Sequence, residues 1–554
     1  MGKIIFLFLF SISTGYSEDK YNVDSMFSTF FDFSKNENNF SKCGRVEINY
    51  LRQNFEKLSA KNKIEFEKYL NKNFQFDTLI GNFLIKFDTS GIDATTIAFV
   101  ESVGVYLNYS YQFHIDSLHE NNILTPINVK IKSLGNKYGY VENLTIYLDN
   151  DYKNFPTSGF DGAKVTAAHE LHHMFQIINY ETYSYPYPIN FYMELTAVGI
   201  EEEIYDDIND YFNYVRTPDS HFGNPNLEFN YFDSRGSIQY SRVVWIKFLH
   251  DKFLKLYNTK DTARSIIKKS WEFIKNDVDI YSVIYSSLLR FGGFGKKFAE
   301  FSYWNFFIGE NFDYAKSYIE GENYFWFYPL ENGYVVKMNH PQYETAKNIT
   351  SNAFILKDTS FGKYYSKYFP INYNGDTIIT CVTRHSFDDY EIKIRYRIQF
   401  VEGDETYHKL PNNMYSRLEM YNENNNKWEI ADTSLFSFYE VVKRKNTVDA
   451  VVVEPLLVYP NPFIYDGENT VKFQLPQNVE KKISLQIFTN NFVSVFSQNN
   501  LETKNGNSDI GYDNKFVEWN GKTNDGIVIS SGVYFYLMTY KDETKWFGKF
   551  AIIR

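Results

Sequence analysis

The stretch Ala168-His169-Glu170-Leu171-His172-His173-Met174 carries the residues whose types and spacing point most directly to chemistry. On a helix, residues i and i+4 lie about 40° apart around the axis and one turn along it, so His169 and His173 share a face. Two imidazoles so placed can reach one tetrahedral zinc ion at about 2.0–2.1 Å. Glu170 stands beside the first of them, where its carboxylate can take a proton from an attacking water. Together they form the H-E-x-x-H arrangement of a metalloprotease. His172 offers a competing i, i+3 pair with His169, but only His169 with His173 leaves Glu170 well placed. His172 is therefore read as a packing residue or a support for a ligand.

A zinc site with one position left open needs a third protein ligand. The metzincin solution would place glycine at 176 and histidine at 179, whereas Gln176 and Asn179 stand there. Glu194, within Met193-Glu194-Leu195-Thr196-Ala197, is the carboxylate expected to complete the set. Glu201 lies two turns further along the same helical face and is expected to hydrogen-bond a ligand histidine. Glu202 and Glu203 are read as a solvated face. Peptide hydrolysis also needs a donor for the tetrahedral oxyanion, for which Tyr231, Tyr240 and His221 are candidates. The acidic clusters Asp149-Asn150-Asp151 and Asp206-Asp207-Ile208-Asn209-Asp210 are candidate calcium ligands, although neither matches an EF-hand loop.

The elements that must position these residues follow from hydrophobic spacing. A helix is predicted from Asp161 to about Ile178 and another from Asn190 to about Tyr205. Further helices are expected over Ala94 to Phe113, Val243 to Leu256 and Ala263 to Phe273. Short strands are expected at Phe83 to Phe87, Val129 to Ile131 and Leu144 to Leu148. Residues 18–80 have mostly helical spacing and form an N-terminal segment or a removable prosegment. Past about residue 325 the helical patterns fade into aromatic and β-branched runs. The prolines of Tyr459-Pro460-Asn461-Pro462-Phe463 mark a boundary before a last β-sandwich.

Composition sets the wider bounds. The 554 residues include 52 Phe and 47 Tyr, enough core-forming material to exclude a disordered chain. A formal charge of -11 argues against nucleic acid as a partner. Lys3, the apolar run Ile4 to Phe10, and Gly15 with Ser17 read as a signal peptide over residues 1–17. No later stretch approaches the roughly 18 apolar residues of a transmembrane helix. The chain has two cysteines, Cys43 and Cys381; export would permit a disulfide between them, but they are too few for a cysteine-rich zinc site.

Taken together, the pieces from Phe83-Leu84-Ile85-Lys86-Phe87-Asp88-Thr89-Ser90-Gly91 through the histidine motif to Tyr192-Met193-Glu194-Leu195-Thr196-Ala197 and Glu201-Glu202 resemble a family of exported bacterial zinc metalloproteases. That family is gluzincin-like. The resemblance implies His169, His173 and Glu194 as metal ligands and Glu170 as catalytic residue. One departure is Val198, where thermolysin has an acidic residue four positions after its ligand glutamate. Val458-Tyr459-Pro460-Asn461-Pro462-Phe463, Trp519-Asn520-Gly521 and Ser531-Gly532-Val533-Tyr534 resemble the hook-cap immunoglobulin-like domain and the sorting domains of type IX secretion.

The fold class expected is α+β and multidomain: a mostly helical, zincin-like catalytic domain with a small sheet, followed by β-sandwich domains. The expected divisions are 1–17, 18–80, 81–325, 326–455 and 456–554. The function expected is a zinc-dependent endopeptidase, secreted or at the cell surface, with protein or peptide substrates and the secretion machinery as partners. The competing expectation is a non-catalytic surface or adhesion protein with a structural zinc site. Glu170 separates the two, because a structural site needs no general base.

Overall fold

A computed structural model describes residues 23–554 except 32–40, 154, 183–188, 233–237, 276–278, 330–334, 345, 349–352, 359–363, 374–375, 385–392, 400–407, 411–413, 432–435, 444–449, 453–455, 476–482, 490–493, 508–512, 525 and 541–543. The signal peptide expected over residues 1–17 lies outside the described residues.

The first half builds one mixed sheet between two helical layers. In chain order its elements are α1 (Val23–Phe30), β1 (Ser41–Cys43), α2 (Arg45–Gln53), α3 (Ala60–Leu70), β2 (Phe76–Ile80) and β3 (Phe83–Phe87). There follow α4 (Ile97–Asp116), β4 (Ile127–Ile131), β5 (Lys137–Glu142), β6 (Thr145–Leu148), α5 (Gly159–Tyr180) and α6 (Asn190–Ile204). Among the described residues the sheet runs β1-β5-β6-β4-β3-β2. Its central pairs β3/β4 and β4/β6 are parallel, β5/β6 is antiparallel, and β1 joins β5 in parallel.

Alternation in the strands decides which layer each side chain meets. Phe83, Ile85, Val129, Ile131, Ile146 and Leu148 point into a core shared with α4 and α5. Tyr140 and Tyr147 point the other way, into a core with α1, α2 and α3. Strand β5 is consequently buried along its whole length. Thr96 caps α4 by accepting from the Phe99 amide, and Ser59 caps α3 by accepting from Asn62, each satisfying an amide that the first turn leaves open.

Residues 18–80 are not helical throughout. They supply β1 and β2, which lie at opposite edges of the sheet. A three-residue strand has no readable period, so its pairing partner alone defines it.

A further group of helices, including Val244–Tyr257, Asp261–Ile274, Ile280–Leu288 and Gly293–Trp304, packs around α6 through Trp245, Trp271 and Phe294. Beyond Trp326 the described elements are strands. Those from Val458 onward form two sheets that share a core of Phe473, Trp519, Tyr536 and Phe550. The whole is α+β and multidomain. The two cysteines are separate buried thiols, Cys43 on the edge strand β1 of the first sheet and Cys381 against Phe306 and Tyr368, so the bridge that export would permit is not made. Among the described residues no helix is long and apolar enough to cross a membrane.

Candidate metal centre

Helix α5 is buried over most of its length, and α6 packs across it. The packing brings Glu194 to the face that carries His169 and His173. The Nε2 atoms of the two histidines stand 3.1 Å apart. Glu194 Oε2 is 3.3 Å from His169 Nε2 and 3.6 Å from His173 Nε2. Donors bound at about 2.0–2.1 Å in a tetrahedron stand about 3.3–3.4 Å from one another, so these atoms enclose a point that fits one ion.

The remaining atoms of these side chains agree with that fit. His169 Nδ1 donates to Glu201 Oε1 at 2.7 Å, and His173 Nδ1 donates to Gln176 Oε1 at 2.7 Å. The Gln176 orientation follows from its amide nitrogen, which donates to Thr196 Oγ1 at 3.0 Å and the Met193 carbonyl at 3.3 Å. Both rings thus have an acceptor at Nδ1, which leaves Nε2 as the nitrogen able to ligate an ion. Glu194 Oε1 and Glu170 Oε1 are buried and accept no hydrogen bond, a costly state that a cation would relieve.

Burial alone would lower the His169 imidazole, but Glu194 and Glu201 outweigh it and hold it at about 9. Burial raises the Glu170 carboxyl to about 8, opposed by His169 and reinforced by Glu194. For Glu194 burial acts upward, yet His173 and the hydrogen bonds from both histidines bring it well below the ordinary range. Neighbouring carboxyls pushed in opposite directions suit opposite tasks, one holding charge and one exchanging a proton.

The sequence expectations fall out unevenly. Glu201 does reach a candidate ligand, and its other oxygen meets Lys42 Nζ at 2.8 Å, which also binds Asp210 at 2.6 Å. His172 packs behind the site, with Nδ1 3.0 Å from His114 Nε2. Glu202 and Glu203 are not a solvated face: α6 is covered on nearly all sides, and Glu203 pairs with His250 at 3.0 Å and Arg264 at 2.6 Å. Of the oxyanion candidates, Tyr240 is buried beside His169, with ring centroids 6.5 Å apart. Tyr231 is exposed, and His221 stacks on Phe301 away from the site.

Asp149 spends its carboxylate on the amides of Leu134, Asp151 and Tyr152, as a turn requires. Asp206 groups with Glu202 and Glu320, and Lys247 supplies the counter-charge 2.8 Å from Glu320. Of the two clusters proposed for calcium, the second thus contributes Asp206 to a group of three carboxylates that could hold a metal ion.

Several neighbours of the site were not singled out from sequence. Cys43, at the end of β1, joins His169, His173 and Glu194 in a group whose candidate ligand atoms all lie within 4.8 Å of one another. Gly139 of β5 passes so close to α5 that a Cβ there would meet Glu170 Cγ at 2.9 Å and Thr166 Cγ2 at 2.7 Å. Glycine is what lets the strand approach the catalytic candidate. Gln176, marked in the sequence only as the residue that defeats the metzincin pattern, orients His173.

No protein-family model matches the sequence, and no curated protein matches it. Dimeric latent PorU from Porphyromonas gingivalis is 13% identical, with a TM-score of 0.14 over 37% of this chain and 20% of that one. PorZ, an essential bacterial surface component of the type-IX secretion system of Porphyromonas gingivalis, is 13% identical, with a TM-score of 0.14 over 42% of this chain and 39% of that one. The chain spans well under two thirds of either structure, and a likeness at that score carries no argument about fold or function.

Proposed function

We propose that the chain is an exported zinc-dependent peptidase with a zincin-like, gluzincin-type centre, in which His169, His173 and Glu194 hold the ion and Glu170 is the general base. The observation that carries this reading is the convergence of two imidazole nitrogens and a carboxylate oxygen at 3.1–3.6 Å beside the buried Glu170. Two imidazoles and one carboxylate are a donor set suited to zinc.

A bound zinc ion would lower the pKa of water and polarise a scissile carbonyl. Glu170 would accept the proton of the attacking water and deliver it to the leaving amine. Burial keeps the Tyr240 hydroxyl protonated by raising it well above its ordinary value, so it can donate to a developing oxyanion. Residues 456–554 serve as the export and anchoring module in this reading. Its support is the Tyr459-Pro460-Asn461-Pro462-Phe463 and Trp519-Asn520-Gly521 motifs on a sandwich with its own core.

The second reading, a surface protein with a structural zinc site, is favoured by Cys43, which would make a fourth protein donor. Because that thiol lies within reach of the same ion, the decisive test uses the Cys43→Ala background. Zinc content and cleavage of a short fluorogenic peptide are compared with Glu170 present and with Glu170→Gln. One zinc per chain in both, with cleavage only where Glu170 remains, is the expected result. Zinc without cleavage in either protein would favour the structural site, and absence of zinc would sink both readings.

A further inference from the structure

Most of the candidate ligands come from α5 and α6, but the site is closed by a segment from far upstream. Cys43 Sγ–H donates to Glu170 Oε2 across 4.0 Å, and Sγ belongs to the same compact donor group as His169, His173 and Glu194. Cys43 sits opposite Gly139 in the β1/β5 pairing, and the next amide, Gly44 N–H, donates to the Gly139 carbonyl at 2.9 Å. Without β1, strand β5 would be the edge of the sheet on the side of the metal site. A sheet edge is where an extended peptide adds by main-chain pairing.

The residues flanking Cys43 fasten it in place. Lys42, fully buried, bonds Glu201, the carboxylate that orients His169. Arg45 lies 4.0 Å from Glu194 Oε1 and donates to Asn190 Oδ1 at 3.0 Å. Three of four consecutive residues, Lys42, Cys43 and Arg45, therefore address the histidine support, the ion position and the third ligand. Glu170 Oε1 and Glu194 Oε1 are buried and accept no hydrogen bond, so the carboxylates around Cys43 keep acceptor capacity that no neighbouring donor uses.

We propose that Cys43 is a fourth, displaceable ligand of the ion and that β1 fills the peptide-binding edge of β5, so that the chain as folded is a latent peptidase. The proposal rests on the zinc reading of the site. To ligate, the thiol gives up its proton, for which Glu170 Oε2 is the adjacent acceptor, and the sulfur lone pair forms the bond to the ion. Glu170 is then engaged and no ligand position remains for water. Withdrawal of β1 returns both the fourth position and the free edge of β5. The substrate class is accordingly an extended polypeptide.

The test reads the ligand directly in the full-length protein. X-ray absorption of the zinc-loaded wild type should show one sulfur neighbour at about 2.3 Å. The cobalt-loaded form should carry a thiolate-to-metal charge-transfer band. Cys43→Ser, close in volume, should lose the sulfur shell and the band while keeping one ion per chain, and Cys381→Ser should keep both. Cleavage of a short fluorogenic peptide, which needs the open ligand position but not the edge of β5, should rise at least tenfold in Cys43→Ser and Cys43→Ala, with circular dichroism confirming that each remains folded. A wild type that binds zinc without a sulfur neighbour would overturn the proposal and leave the peptidase reading standing. A sulfur shell with no gain in cleavage on its removal would overturn latency. Failure of every variant and the wild type to bind an ion would remove the peptidase reading itself.

Discussion

Each candidate ligand histidine has its second nitrogen committed to a different partner, and the partners differ in what stands behind them. Gln176 is neutral and is held by α6, whereas Glu201 is ionic and is held by Lys42 and Asp210. Replacing Glu201 by glutamine keeps an oxygen near His169 Nδ1 but removes the charge that raises the basicity of the ring and balances Lys42. Loss of such a partner typically costs about 10–100-fold in metal affinity. Glu201→Gln should therefore bind zinc more weakly by that factor in a chelator competition, with His169, His173 and Glu194 unchanged. An affinity within twofold of the wild type would contradict the role. This layer was half legible in the sequence. His169, His173, Glu194 and Glu201 announce themselves because helical spacing makes neighbours of residues close in the chain. Cys43, Lys42 and Arg45 reach the site from more than a hundred residues away through a strand pairing. No local period records which strand will lie beside which.

At the scale of elements, α6 differs most from its sequence expectation. A run of three glutamates suggests a wet face, yet the helix is packed between α5 and Val244–Tyr257, so each acid has to find a cation. Glu203 finds two, His250 and Arg264. Burial acts to raise its carboxyl, but those partners outweigh it and bring it to about 2, against an ordinary value of 4.5. A folded-state value below the unfolded one means that the contribution to stability is present above about pH 4.5 and is lost as the pH falls towards 2. The shift corresponds to about 3 kcal/mol at neutral pH. Urea midpoints of the EDTA-treated protein should show Glu203→Gln less stable than the wild type at pH 6, with the gap closing as the pH falls below 4.5. A gap that does not change with pH would mean that Glu203 is held by something other than its charge. The positions of α5 and α6 themselves were readable, because long buried helices keep their period. The strands β1 and β2 were not, since short edge strands exist only by virtue of their neighbours.

For the whole molecule, the question is whether the half that carries the candidate metal site depends on the strands that follow it. The last two sheets close around Phe473, Trp519, Tyr536 and Phe550 without borrowing from the first sheet or from α6. Among the described residues the apolar cluster where the two parts meet is small: Phe325 and Phe327 on one side, Phe488 and Leu537 with the half-buried Phe535 on the other. A cluster of this size can contribute several kcal/mol to docking at about 1.5–3 kcal/mol per buried side chain, but it does not supply a core to either part. Residues 456–554 should therefore unfold cooperatively as an isolated fragment, followed by the fluorescence of the buried Trp519 and Trp546. A chain ending at residue 455 should keep its zinc affinity within about threefold and become more prone to aggregate, because Phe325 and Phe327 then face water. Loss of zinc from the shortened chain would show that the sandwich supports the metal centre rather than only travelling with it. A fragment that shows no cooperative transition would place the boundary elsewhere and merge the sandwich with the strands that precede it.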